Sequence, residues 1–181
     1  MPPAIVIEPL DTNKHDRSAF TSGVEQVDNF LRKTASKLMK GGTARVFVAL
    51  NPDDNPEDIL GFYSINAHTV NYSNLPSRYR RYSLPDGQIP AAFIGMMGVT
   101  AHAQGKGLGS LLLADALKGA YLASHRIGTA LVLLDVLDCG TPEAVERRQR
   151  LYLAFGFQPL PSNPLRMFLP LATIGQMYEK A

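Results

Sequence analysis

Gln104-Gly105-Lys106-Gly107-Leu108-Gly109 is the stretch on which the reading of this chain turns. Ala91 to Thr100 before it is strand-like, and Leu108 to Ser124 after it has the apolar density of a helix. A glycine-rich turn at such a junction leaves backbone N–H groups without side-chain cover. The first helical turn adds unpaired donors and a partial positive charge. Together they make a cradle for an anion, most often phosphate.

Three glycine-loop chemistries compete for that cradle. A P-loop requires G-x-x-x-x-G-K-S/T, but Lys106 is followed by Gly107, with no hydroxyl to hold magnesium. A dinucleotide fingerprint requires G-x-G-x-x-G and an acidic residue about 20 positions on. Here Gly105, Gly107 and Gly109 alternate, and Arg126 and Ile127 stand near that place. The third pattern, Q/R-x-x-G-x-G/A, is met by Gln104, Gly107 and Gly109. A tight strand-to-helix turn that uses glycine for geometry alone fits the same six residues.

Working outward, Ile5-Val6-Ile7 reads as an opening strand. Val24 to Met39 carries helical apolar spacing that Gly41-Gly42 stops. Arg45–Leu50 and Ile59–Val70 read as strands, paired antiparallel across a turn rich in Asn, Asp and Pro. Asn71 to Pro90, polar, aromatic and basic, reads as a long surface loop. After the glycine turn and its helix comes Thr129–Val136, whose continuous apolar run suits a strand covered on both faces. A helix Pro142–Phe155, a strand Leu165–Leu171 and a polar tail over about 172–181 complete the chain. The strand–turn–helix–strand centre implies a parallel pair with a helical crossover, and so a mixed α/β sheet flanked by helices.

Composition narrows the class. The 181 residues, 45% hydrophobic and 19% charged, suit a single globular domain over 1–181. The lone Cys139 excludes an internal disulfide and a cysteine-rich zinc site and fits a reducing, cytoplasmic setting. No signal peptide is apparent at the start, and Asp115 and Lys118 interrupt the greasiest stretch, so no membrane span or membrane partner is expected. A net charge of +2 does not by itself imply nucleic acid. Two arginine clusters stand out: Arg78-Tyr79-Arg80-Arg81-Tyr82, and Arg147, Arg148 and Arg150. Arginine with interleaved aromatics suits phosphate contact and base stacking, and a solvated basic loop explains the same residues.

Tyr152-Leu153-Ala154-Phe155-Gly156-Phe157 stands downstream at a predicted helix end. Read alone, Tyr152 is a half-buried aromatic. In order with the Gln104–Gly109 loop, it makes the chain resemble the GCN5-related N-acetyltransferases (GNATs), with their mixed, partly splayed sheet. Val27-Asp28-Asn29-Phe30-Leu31, Gly61-Phe62-Tyr63, Ile89-Pro90-Ala91 and Gln104 to Leu117 resemble one branch: toxins that acetylate the amino group of aminoacyl-tRNA. Ribbon-helix-helix antitoxins are encoded beside them. The branch usually carries a charged residue where Met96 stands and an acid where Thr100 stands.

The resemblance implies acetyl-coenzyme A as co-substrate and no metal. It implies a pyrophosphate on the backbone of Gln104, Gly105, Lys106, Gly107, Leu108, Gly109 and Ser110. The pantetheine arm would pair with Met97, Gly98 and Val99, and Tyr152 would act as general acid. Arg78, Arg80 and Arg81 are candidates for holding the acceptor. Aminoacyl-tRNA, an antitoxin and a second copy of the chain are the implied partners. An acetyltransferase for a small or protein amine, and a cofactor-sensing module without activity, are the rival readings. No general base is evident: His68, His102, His125, Asp135 and Asp138 are candidates by chemistry, each with a solvated, core or capping role as the alternative.

Overall fold

The computed structural model describes residues 4–180. In chain order the elements are β1 (Val6–Pro9), α1 (Glu25–Asn29), α2 (Ala35–Lys40), β2 (Arg45–Leu50), β3 (Gly61–Asn71), β4 (Gln88–Val99), α3 (Leu108–Ser124), β5 (Leu131–Asp135), α4 (Pro142–Ala154), β6 (Gln158–Leu160), β7 (Asn163–Pro170) and α5 (Leu171–Glu179). Hydrogen bonding orders the seven strands β1-β2-β3-β4-β5-β7-β6. The pairing of β4 with β5 is parallel, while β1–β2, β2–β3, β5–β7 and β6–β7 are antiparallel. This is the mixed, helix-flanked sheet that the glycine turn and its crossover helix imply. Contacts cluster into two compact units: the chain to Asn66 with Gly95–Ala116, and Ala67–Ile94 with the chain from Leu117.

The first unit carries the glycine loop. Alternation along β3 sends Phe62 and Tyr63 to opposite faces. Phe62 meets Phe20 edge-on at 5.4 Å and stacks on Phe30 at 6.0 Å, whereas Tyr63 stacks on Phe47 at 5.2 Å and donates to Asp115 Oδ2 on α3 at 2.7 Å. Burial, then that carboxylate, pushes the Tyr63 phenol far above its ordinary range. Two glycines let helices close in on these faces. A Cβ on Gly98 would stand 2.4 Å from Val27 Cγ1, and one on Gly61 would stand 2.8 Å from Leu112 Cδ1. Between α1 and α2 the helix widens into a π turn, Phe30–Thr34, and Arg17 Nη1 donates to the carbonyls of Leu31 and Arg32 there. Sequence spacing alone implied one unbroken helix; the inserted guanidinium accounts for the difference.

The second unit is built on β5, whose Leu131–Leu134 are all buried. Val70, Ile89, Ala91, Leu131, Leu133 and Phe168 form one core, covered by Leu75 and Tyr79. Two elements here differ from the sequence reading. Residues Asn71 to Pro90 are not an irregular loop, because short 3-10 turns at Tyr72–Asn74 and Ser77–Tyr82 are held down by Tyr79, packed edge-on against Phe168 at 5.1 Å. The expected polar tail is α5: Ile174 is buried, Tyr178 stacks on Tyr121 at 5.5 Å, and Gly175 lets that ring approach. Among the described residues no helix is long and apolar enough to cross a membrane.

The approach at Gly98 yields a direct test. Gly98→Ala should cost about 1–3 kcal/mol of stability in chemical denaturation, as overpacked cores do. Val27→Ala added to the same chain should return part of that loss. A Gly98→Ala protein as stable as the parent would contradict the packing described.

Candidate active site

At the end of β4 the chain passes Thr100, makes one 3-10 turn at Ala101–Ala103, and reaches Gln104. Gly105 and Gly107 have φ of 75° and 83°, the left-handed region that glycine adopts without strain. A Cβ on either would meet nothing within 4 Å, so conformation, not space, demands glycine there. The Gly107 carbonyl accepts from Leu111 N at 3.1 Å, opening α3. The N–H groups of Leu108, Gly109 and Ser110 in that first turn therefore lack intrahelical acceptors. Leu108 buries its side chain while Gln104 to Gly107 stay exposed. Backbone donors at an accessible helix start, beside the Lys106 ammonium, fit a pyrophosphate.

A clasp sets the loop's position. Gln104 Nε2 donates to the carbonyls of Ser22 at 2.8 Å and Val99 at 2.9 Å. The buried Thr100 hydroxyl donates to the Thr21 carbonyl at 3.2 Å and accepts from Thr21 N at 3.3 Å. Ala101 N donates to the Thr21 carbonyl at 2.8 Å. Asp28 in turn accepts from Ser22 N at 2.8 Å and from Ser22 Oγ at 2.7 Å. The amide of Gln104 is thus engaged within the protein, which leaves its backbone as its route to a ligand. Thr100 supplies both a donor and an acceptor, whereas an ionised acid in its place could only accept. Next to the clasp, Met97, Gly98 and Val99 are partly exposed, and Met96 N donates to Ser64 Oγ at 2.9 Å. The parallel register with β5 runs from Ala91↔Leu131 to Ile94↔Leu134, and β4 continues to Val99.

In the second unit, Thr141 caps α4 by accepting from Ala144 N at 3.2 Å, and Pro142 follows in the first turn. Near the other end stands Tyr152, 8% exposed, edge-on to Phe157 at 6.2 Å. Its carbonyl accepts from Phe155 N and Phe157 N, both at 3.1 Å, and Gly156 with φ of 97° ends the helix. Burial pushes the Tyr152 phenol up to about 12, with the Arg148 charge pulling the other way. The hydroxyl therefore keeps its proton throughout the neutral range.

The remaining candidates find other places. Arg78, Arg80 and Arg81 are exposed, each guanidinium lying over a tyrosine ring: Tyr79 at 4.8 Å, Tyr72 at 4.8 Å and Tyr82 at 4.9 Å. Those rings are engaged by arginines of the same segment, and Arg78 Nη2 also donates to Gln158 Oε1 at 3.3 Å. Asp135 makes a bidentate pair with Arg166 at 2.7 and 2.8 Å, and Arg166 also lies over Phe93. His68 packs on Phe93 and His125 on Tyr121, while His102 and Asp138 are exposed. The buried His15 accepts from Asp11 N at Nδ1, and its Nε2 lies 2.9 Å from Glu8 Oε1. No group of three or more His, Cys, Asp or Glu able to hold a metal occurs among the described residues. Arg148, which the sequence grouped with Arg147 and Arg150, instead donates to backbone carbonyls. Its position four residues before Tyr152 was the available signal.

No family model matches the chain. It is 51% identical over 169 residues to a probable toxin TacT of Sinorhizobium fredii, covering 93% of this chain and 92% of that one. It is 30% identical over 154 residues to a tRNA-acetylating toxin of Mycobacterium tuberculosis, covering 85% of each. Among solved structures, a tyrosine-to-phenylalanine mutant of KacT superposes with a TM-score of 0.83 at 23% identity, over 96% of this chain and 98% of that chain. AtaT complexed with acetyl-methionyl-tRNAfMet gives 0.83 at 22% identity, over 97% and 99%. With the GNAT sheet, the glycine loop in place and half its residues shared with a TacT toxin, the chain belongs to the TacT-like family of GNAT-fold acetyltransferase toxins.

Proposed function

We propose that this protein transfers the acetyl group of acetyl-coenzyme A to the α-amino group of aminoacyl-tRNA and so blocks translation, acting as the toxin of a cytoplasmic toxin–antitoxin pair. The observation that carries the reading is the anion cradle at Gln104–Gly109 in a chain 51% identical to a TacT toxin. The relative named as a tRNA-acetylating toxin supports the acceptor. AtaT bound to the C-terminus of the antitoxin AtaR supports an antitoxin partner, for which a ribbon-helix-helix protein is the expectation.

The bound thioester supplies the acetyl carbon and a sulfur leaving group. The N–H groups from Gln104 to Ser110 hold the pyrophosphate, with Lys106 adding a point charge. The backbone of Met97, Gly98 and Val99 pairs with the pantetheine arm, and the Val99 N–H polarises the acetyl carbonyl. As the C–N bond forms and the C–S bond breaks, Tyr152 gives its proton to the departing sulfur. The nitrogen releases its own proton to solvent, from which Tyr152 is reprotonated. An α-amine with a pKa near 8 is partly neutral at pH 7 and needs no strong base. That suits a chain in which His68, His125 and Asp135 are engaged elsewhere. Arg78, Arg80 and Arg81, exposed on the 3-10 turn Ser77–Tyr82, meet acceptor phosphates.

Tyr152→Phe should lower kcat about 100-fold or more, with acetyl-coenzyme A affinity by calorimetry unchanged within about twofold. It should also relieve growth arrest on expression. Wild-type turnover in that variant would remove Tyr152 from the chemistry. In initial rates against pH, kcat/KM should rise with deprotonation of the acceptor amine and show no descending limb up to about pH 10, because Tyr152 stays protonated until about 12. A fall between about pH 8 and 10 would contradict that assignment. Gln104→Glu places a carboxylate against the Ser22 and Val99 carbonyls. It should weaken acetyl-coenzyme A binding about tenfold, the upper end of what one lost hydrogen bond is worth; unchanged binding would show the clasp to be dispensable.

A further inference from the structure

Arg148 lies one helical turn before Tyr152 on α4, on the same side of the helix. Its Nη1 donates to the Leu137 carbonyl at 2.7 Å and to the Cys139 carbonyl at 2.8 Å. Both carbonyls belong to the segment that leaves β5 after Asp135 and leads to the Thr141 cap of α4. One guanidinium therefore ties the exit of β5 to the middle of the helix that carries the phenol. Arg147 and Arg150 beside it are exposed, as residues meant for solvent or nucleic acid are, but Arg148 is half-buried and turned onto backbone.

Electrostatics points the same way. A buried tyrosine that releases its proton leaves a phenolate in poor solvation, and a nearby cation lessens that cost. The other charged or titratable groups on these two segments are Asp138, Cys139, Glu143, Glu146, Arg147 and Arg150; Arg148 is the one whose charge acts on the Tyr152 phenol. Phe157, packed against the ring from beyond the helix end, carries no charge.

We propose that Arg148 is a positioning residue for proton donation: it fixes the turn of α4 that presents Tyr152 and supplies the cation that the phenolate faces as its proton leaves for the sulfur. The proposal rests on Tyr152 being the acid, and it takes Arg148 out of the basic cluster expected to bind RNA.

The test is kinetics on Arg148→Met, Arg148→Lys, Tyr152→Phe and the Arg148→Met/Tyr152→Phe double variant, each checked for folding by circular dichroism. Arg148→Met should lower kcat about 10- to 100-fold, with KM for acetyl-coenzyme A and for charged tRNA changed less than about threefold. Arg148→Lys, which keeps the charge, should recover part of kcat. In the Tyr152→Phe background, Arg148→Met should have little further effect, because residues acting as one unit are not additive. Ultraviolet titration of tyrosinate, with Tyr152→Phe as the subtraction, should place the Tyr152 transition at higher pH in Arg148→Met than in the parent. Parental kcat in folded Arg148→Met, or full additivity with Tyr152→Phe, would overturn the proposal while leaving Tyr152 as the acid. Parental kcat in Tyr152→Phe would instead overturn the reading beneath it. Should Arg148→Met fail to fold, Arg148→Lys carries the test in kinetics at about pH 7, where the lysine is charged: it should lower kcat in the parent and have little further effect in the Tyr152→Phe background, and full additivity with Tyr152→Phe would overturn the proposal.

Discussion

The contact between Val27 and Gly98 sets the geometry of the unit that carries the loop. With a Cβ position only 2.4 Å from the valine methyl, α1 lies on β4 as closely as backbone permits. That approach brings the start of α1 within reach of the strand's end, where Thr21, Ser22, Thr100 and Gln104 exchange hydrogen bonds. On the opposite face Gly61 admits Leu112, and Tyr63 reaches Asp115, so α3 is tied to β3. The glycine loop, strung between the strand and α3, takes its position from both.

From this the division of chemical labour follows. The loop proposed to hold the pyrophosphate presents backbone, with glycine where φ is positive and with Gln104 and Thr100 acting as fasteners. Tyr152, the proposed proton donor, is held by burial and by a helix end fixed by Gly156. In that proposed arrangement the acceptor's own amine is the group that titrates near neutrality.

What could be read from the chain was whatever lies close together along it. The loop, the apolar run Leu131–Leu134 and the capped helix from Pro142 each carry their signal in consecutive residues, and each stands where expected. The clasp did not show, because Thr21 and Thr100 are 79 positions apart and neither is unusual alone. The π turn depends on Arg17 reaching carbonyls 14 and 15 residues on. The helix α5 was hidden because it owes its burial to Ile174 and to a glycine that admits Tyr121, a contact with no local pattern. Arginine–tyrosine alternation suggested stacking platforms for bases, yet each arginine covers a ring of its own segment, and Tyr79 is core.

The central claim is the identity of the acceptor. Incubation of the protein with acetyl-coenzyme A labelled in the acetyl group and a mixture of charged tRNAs, followed by nuclease digestion and mass analysis of the terminal aminoacyl-adenosine, reads it directly. The account predicts labelled N-acetyl-aminoacyl-adenosine, absent when the tRNA is uncharged. Label recovered only in a small or protein amine, with aminoacyl-adenosine unmodified, would contradict it.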